Sequence, residues 1–289
     1  MNGSFDTFAR LCCDRGMAMD AFRKRDPIIE IAIFRERVGC RVDHRDGPSR
    51  RTPYAAGSIV SRAWQTLDRS DSPDGVLELR QRGADDFLIC LDGRVLMNSR
   101  ASRSEEELGL RTCAGLGAKA RVLIGGLGMG FTLRAVLDSI SDEGQVRVAE
   151  LHSIVARWCR GPLAALTDAC LDDPRVSLQI GDVADRIREA AAAAGSYDAI
   201  VLDLFEGPHA QTDANRDPLY GREAIERCWQ ALCPGGVLGV WAEARESRFE
   251  ARLRAQGFTV ESHRPGRGGL RHWIVLARRP EASNERHRP

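Results

Sequence analysis

Val122-Leu123-Ile124-Gly125-Gly126-Leu127-Gly128-Met129-Gly130-Phe131 runs from an apolar strand through a glycine-rich turn into the start of a helix. Glycine lets the backbone turn sharply there and lets a ligand lie against the main chain. A tight strand-to-helix turn uses glycine in any case, so a purely structural turn stays open at this point. The next strand narrows the choice. Gln145–Glu150 ends in an acid 25 positions after Gly125, where a carboxylate can accept both hydroxyls of a ribose. A third strand, Arg175–Ile180, runs into Gly181-Asp182. Asp182 can meet an adenine amine or cap the following helix, and the two roles are compatible. The spacing points to an adenosyl ligand at the carboxyl ends of the strands.

The rhythm continues outward. Strand patterns at Asp198–Asp203 and Gly236–Trp241 alternate with helical ones at 131–139, 152–160, 183–194 and 220–232. That order predicts an α/β fold, a doubly wound Rossmann-like sheet covered on both faces. Phe258–Ser262 and Trp273–Ala277 read as a terminal hairpin, which makes seven strands with the last antiparallel. Upstream, Val76–Arg80, Phe87–Leu91 and Arg94–Met97 are short strands, and Asp92-Gly93 is a two-residue hairpin turn. A helix is expected from Glu105 to about Ala114. The divisions are therefore a leader of uncertain order at 1–60, a small antiparallel β-unit at 61–105, a Rossmann-like domain at 106–278 and a disordered tail at 279–289.

With 42 basic and 41 acidic residues the chain has a formal charge of +1, so no global attraction to nucleic acid or anionic lipid is expected. Forty of the 42 basic side chains are arginine, scattered rather than clustered. Nine cysteines, an odd number with no CxxC pair, argue for free thiols in a reducing compartment rather than disulfides or a zinc site. Cys90, Cys159, Cys170 and Cys228 read as small core hydrophobes. No apolar run is long enough to span a bilayer and no signal peptide is evident, so a cytoplasmic location is expected. Nothing suggests a metal site.

The turn Gly126-Leu127-Gly128-Met129-Gly130 departs from the dinucleotide pattern GxGxxG and fits the GxGxG of S-adenosylmethionine enzymes. With Leu91-Asp92-Gly93, Asp172-Asp173-Pro174-Arg175, Tyr197–Asp203 and Leu232-Cys233-Pro234-Gly235-Gly236, residues 76–277 resemble the spermidine synthase family, a branch of the class I S-adenosylmethionine-dependent transferases. The resemblance implies that Glu150 holds the ribose and that Asp182 meets the adenine. It makes Asp203 the catalytic aspartate that orients and deprotonates an amine. It places Glu206 at the second acid of a D-x-x-D motif, and the loop from Gly207-Pro208-His209 as a flap over the site. It also implies a homodimer formed through the β-unit.

Departures from the pattern are equally informative. Met129 stands where the family carries an aspartate that pairs with the ammonium of decarboxylated S-adenosylmethionine, and a thioether cannot replace that charge-assisted contact. Leu96 and Glu105-Glu106 stand in place of the polyamine-binding Gln and Tyr–His pattern. Asp203, Glu206 and His209 fall within seven residues, suited to binding a cationic amine and taking its proton. Tyr220 is a candidate for lining the acceptor pocket, as is Trp241, although each also suits packing. Three functions follow. The first is methyl or aminocarboxypropyl transfer from S-adenosylmethionine to a small amine, favoured by Met129. The second is aminopropyl transfer in polyamine biosynthesis, and the third a non-catalytic adenosyl-binding scaffold.

Overall fold

A computed structural model describes residues 62–266 and 272–281. The expected leader at 1–60 lies outside the described residues, as does the tail from 282 onward. Four antiparallel strands come first, β1 (Gln65–Ser72), β2 (Gly75–Arg82), β3 (Asp86–Leu91) and β4 (Arg94–Asn98), paired in that order. Asp92 and Gly93 both take positive φ, 48° and 79°, as the β3–β4 turn requires. Strand β1 escaped the sequence reading. Its residues, Gln-Thr-Leu-Asp-Arg-Ser-Asp-Ser, lack an apolar alternation because it is an edge strand with no face in the core. Polar edges of this kind discourage pairing with other chains.

Helix α1 (Arg103–Cys113) leads to the main sheet, whose strands are β5 (Arg121–Gly125), β6 (Gln145–Glu150), β7 (Val176–Ile180), β8 (Tyr197–Leu202), β9 (Leu232–Ala242), β10 (Thr259–His263) and β11 (Trp273–Arg278). The spatial order is β10-β11-β9-β8-β5-β6-β7, with β11 antiparallel to both its neighbours. This is the expected doubly wound seven-stranded sheet with an antiparallel last strand. Helices α2 (Phe131–Ser139), α3 (Ser153–Arg160), α4 (Val183–Ala192), α5 (Arg222–Ala231) and α6 (Ser247–Gln256) connect the strands. Two elements differ from expectation. Helix α6 was not anticipated, since Phe249 and Leu253 are its only large buried apolar residues. Strand β9 begins at Leu232 rather than Gly236, because Leu232 already pairs with Tyr197 before a register shift.

Successive strand residues divide between two cores. Val122, Ile124, Val146, Val148 and Val201 pack on one face with α1, α2 and α3, and the small sheet adds Leu77, Leu79 and Phe87 to that cluster. Leu123, Ile200, Leu202 and Val240 pack on the other with α4, α5 and α6. Burial on both faces is what a parallel sheet needs. Cys90, Cys159, Cys170 and Cys228 are all buried. Arg279, expected in a disordered tail, is tied down, its guanidinium donating to the Trp229 and Leu232 carbonyls at 2.7 and 2.5 Å. Among the described residues no helix is long and apolar enough to cross a membrane.

Candidate active site

Strand β5 lies between β6 and β8, so the chain leaves it beside two strands that diverge in connection. Such a switch point opens a crevice at the carboxyl edge. Gly126, Gly128 and Gly130 take φ of 86°, 51° and 89° as the turn leaves β5. Gly126 is required twice over, since a Cβ there would meet the Asp203 carbonyl oxygen at 2.2 Å. The turn is thereby pressed against the end of β8. Gly130 is the N-cap of α2, and Met97 of β4 lies against Gly128.

Glu150 is only 6% exposed at the end of β6. One carboxylate oxygen accepts the Leu127 N–H of the glycine turn at 2.8 Å, and the other the His152 N–H at 2.8 Å. Burial raises its pKa, and these N–H groups oppose the rise. A carboxylate has about four acceptor positions, so two remain for hydroxyls presented by a ligand. Asp182, at the next strand end, accepts the Ala184 N–H at 2.8 Å as the N-cap of α4. Around these acids stand apolar side chains that the sequence did not single out. Leu151 and Ile180, each 53% exposed, follow Glu150 and close β7, and Phe205, 45% exposed, follows β8. Large apolar groups left open at the adjacent ends of β6 and β7, with Phe205 beyond β8, offer a surface for a flat ring.

Asp203 is partly exposed at the end of β8, and its carboxylate meets the Thr132 hydroxyl at 2.5 Å. Thr132 also lies 3.2 Å from the Glu105 carbonyl oxygen. A single hydroxyl proton cannot serve both acceptors. Both contacts are satisfied when Asp203 carries a proton, donates to Thr132, and Thr132 donates to Glu105. Titration behaviour agrees, because burial and the charge of nearby Glu105 push the Asp203 carboxyl up to about 7. Glu105 is itself 7% exposed and raised by burial. Among the described residues neither carboxylate forms an ion pair.

Gly126, Gly128, Gly130, Glu150, Asp182 and Asp203 are thus gathered along one edge. The others sit differently. The Met129 side chain is fully buried in the core cluster with Leu108 and Leu133. Glu206 and His209 are exposed on the loop after β8, where the His209 N–H donates to Thr212. Tyr220 is buried, and its hydroxyl donates to the Glu206 carbonyl at 2.9 Å, so it fastens that loop from beneath. Trp241 is buried at the end of β9. The sequence reading missed Thr132 and Glu105. Thr132 carries no signal, but Glu105 shares the buried face of α1 with Leu108 and Thr112, an acid on an otherwise inward stripe. A separate groove of about 710 Å³ lies toward the opposite end of the sheet, lined by Ala191, Gly195, Trp229 and Arg279, and holds none of these residues.

No protein-family model matches the chain. A polyamine aminopropyltransferase of Mycobacterium tuberculosis is 29% identical over 192 residues, 62% of this chain and 34% of that protein. Putrescine N-methyltransferase 1 of Nicotiana tabacum is 37% identical over 124 residues, 43% of this chain and 31% of that protein. The spermidine synthase of Thermotoga maritima superposes with a TM-score of 0.60 at 20% identity, covering 78% of this chain and 76% of that one. The chain is thus similar in sequence to polyamine aminopropyltransferases and putrescine N-methyltransferases, and in fold to spermidine synthases. The curated relatives are named as transferases, and the chain spans about a third of their length.

Proposed function

We propose that this spermidine synthase-like chain is a transferase that binds S-adenosylmethionine, or its decarboxylated form, and alkylates a small amine. Methyl or aminocarboxypropyl transfer from S-adenosylmethionine itself is preferred. The observation that carries the proposal is the joining of the glycine turn, Glu150 and Asp203 at one strand edge, with Glu150 bonded to the turn and Asp203 pressed against it. Glu150 has acceptor positions left for a ribose diol, and Leu151 and Ile180 provide an apolar bed for adenine with Asp182 beside it. Asp203, titrating near neutrality, suits the exchange of a proton with an ammonium group. The sulfonium donor supplies an electrophilic carbon whose bond to sulfur breaks as the bond to nitrogen forms.

Met129 favours the intact donor, because the glycine turn offers no carboxylate to the ammonium of the decarboxylated one. Likeness to a protein named putrescine N-methyltransferase points the same way, whereas likeness to the aminopropyltransferase keeps aminopropyl transfer as the second reading. In both readings Glu206 and His209 sit on a loop over the acceptor, Tyr220 holds that loop, and no metal takes part. A cytoplasmic homodimer paired through the small sheet is proposed with them. Calorimetry with the two donors separates the readings, and tighter binding of the decarboxylated donor would reverse their order. Product masses from each donor with putrescine then test turnover; binding without product from any amine would leave the scaffold reading.

A further inference from the structure

The turn between β1 and β2 reaches the donor edge through Asp74. His152 Nε2 lies 3.3 Å from Asp74 Oδ2, and less than a third of either side chain is open to water, 18% for His152 and 29% for Asp74. His152 is the N-cap of α3, yet its side chain takes no hydrogen bond from that helix. An N-cap side chain ordinarily accepts a free N–H of the first turn. The imidazole turns toward Asp74 instead, and a ring with its proton on Nε2 donates to that carboxylate whether the ring is neutral or charged. From the same residue the backbone N–H donates to Glu150 Oε1 at 2.8 Å. His152 is thus held by its ring and holds Glu150 by its main chain. Asp74 itself stands on a fixed turn. Ser72 Oγ donates to the Gly75 carbonyl at 2.7 Å and accepts the Asp74 N–H at 3.3 Å. Asp92 Oδ1 accepts the Val76 N–H at 2.8 Å, and its carboxylate fills the space that a Cβ on Gly75 would need.

We propose that Asp74 is a positioning residue for the ribose-binding carboxylate and acts on it through His152. This rests on the adenosyl reading of Glu150 above. Hydrogen-bond donors prefer the plane of a carboxylate, so rotation about its last bond changes what a ribose diol meets. The Leu127 N–H fixes one oxygen of Glu150 and the His152 N–H the other. Leu127 lies in the glycine turn that is pressed against β8. His152 lies where a strand gives way to a helix, with φ of −106° and ψ of 109°. Without the ring anchor the backbone there gains freedom, the second bond to Glu150 weakens, and the carboxylate plane loosens with it. Leu151, between the two residues, loses its seat at the same time. A second grip separates this role from general docking of the small sheet. Asp68 of β1 accepts the Trp158 indole N–H at 2.9 Å and lies 3.3 Å from the Arg157 guanidinium, toward the far end of α3. Both acids fasten the small sheet to α3, but the Asp74 grip falls on the residue bonded to Glu150. The small sheet thereby sets donor affinity through Asp74 and His152.

Proton exchange at the His152 amide, followed by NMR on the labelled full chain without donor, reads the positioning directly. Asp74→Ala should speed that exchange about tenfold and leave the amide of Ile124, within β5, unchanged. Unchanged exchange at His152, or equal acceleration at Ile124, would overturn the proposal. Calorimetry with S-adenosylmethionine reads the consequence. Asp74→Ala should weaken binding about tenfold, His152→Phe should match it, and the double variant should be no weaker than either single one. Asp68→Ala should lower the unfolding temperature while donor affinity stays within about twofold of the wild type. With putrescine as acceptor, Asp74→Ala should raise KM for the donor and leave kcat within about twofold. Additive losses in the double variant, or a loss of affinity in Asp68→Ala equal to that in Asp74→Ala, refute the role. A wild type that binds neither S-adenosylmethionine nor its decarboxylated form would count against the transferase reading, while the exchange measurement would still decide the part played by Asp74.

Discussion

Replacing Asp203 by asparagine keeps the side chain's shape, and its amide N–H donates to Thr132 as the protonated carboxyl does, but the titration is removed. In the folded protein this carboxyl ionises at about 7, against 3.8 for a free aspartate, because burial and Glu105 disfavour the charge. A raised carboxyl pKa means the folded state binds more protons than the unfolded state between those values. Stability therefore falls as pH rises from about 4 to about 7 and is level above that. Ionising the group costs the fold at most about 4 kcal/mol. Water at the partly exposed carboxylate and relaxation around it reduce this to roughly 2–3 kcal/mol. Asp203→Asn should escape that cost. Urea unfolding at pH 8 should show a midpoint raised by about 0.7–1 M for a slope near 3 kcal/mol/M, with little change at pH 4.5. Turnover should be abolished, as expected where an acid is held for chemistry at the expense of stability. Equal midpoints at pH 8, or an unaltered dependence on pH, would refute the account of Asp203.

Glu150→Ala leaves the Leu127 and His152 N–H groups without their acceptor, and calorimetry should show donor affinity down by at least a hundredfold, with Glu150→Gln intermediate. Gly126→Ala combines a positive φ with a collision against the Asp203 carbonyl, so thermal unfolding should register a loss of about 3 kcal/mol or more. Glu250 is held down to about 2, first by Arg245, then by Ser262 and Arg254. Its contribution to stability is present above about 4.5 and disappears as pH falls through about 2, so the gap between wild type and Glu250→Gln, on the order of 2 kcal/mol at pH 7, should close in acid unfolding. Burial pushes the Cys113 and Cys228 thiols up to about 12. Native-state alkylation at pH 8 followed by peptide mass mapping should therefore label the partly exposed Cys233 well before them.

Periodicity made the parallel strands and their helices legible, because burial on both faces demands continuous apolar runs such as Val122-Leu123-Ile124. Strand β1 and helix α6 were not legible. The first is a polar edge, and the second rests on two large apolar side chains whose value depends on what faces them. At the strand edge, Glu150 and Asp203 could be found because an acid directly following an apolar strand is conspicuous. Glu105 and Thr132 could not, since an acid and a hydroxyl in the first turn of a helix are ordinary near its N-terminus. Only the approach of α1 and α2 to the end of β8 gives those two residues their meaning. Asp74 lies in the first turn of the small sheet and His152 beyond β6, and no local pattern could pair them.

The position of β5 between β6 and β8 has a consequence for how the protein comes to be able to bind at all. Leu123 pairs with Arg147 on one side and Ile200 on the other, so the partners lie 24 and 77 residues downstream. Closing the longer separation is entropically slow, and until it is closed the glycine turn has no Asp203 to rest against. On the proposed reading, adenosyl recognition is then a property of the completed sheet rather than of any fragment. A donor that engages only that finished state would raise the unfolding temperature with the logarithm of its concentration above Kd, so the supply of donor would become part of what keeps the chain folded.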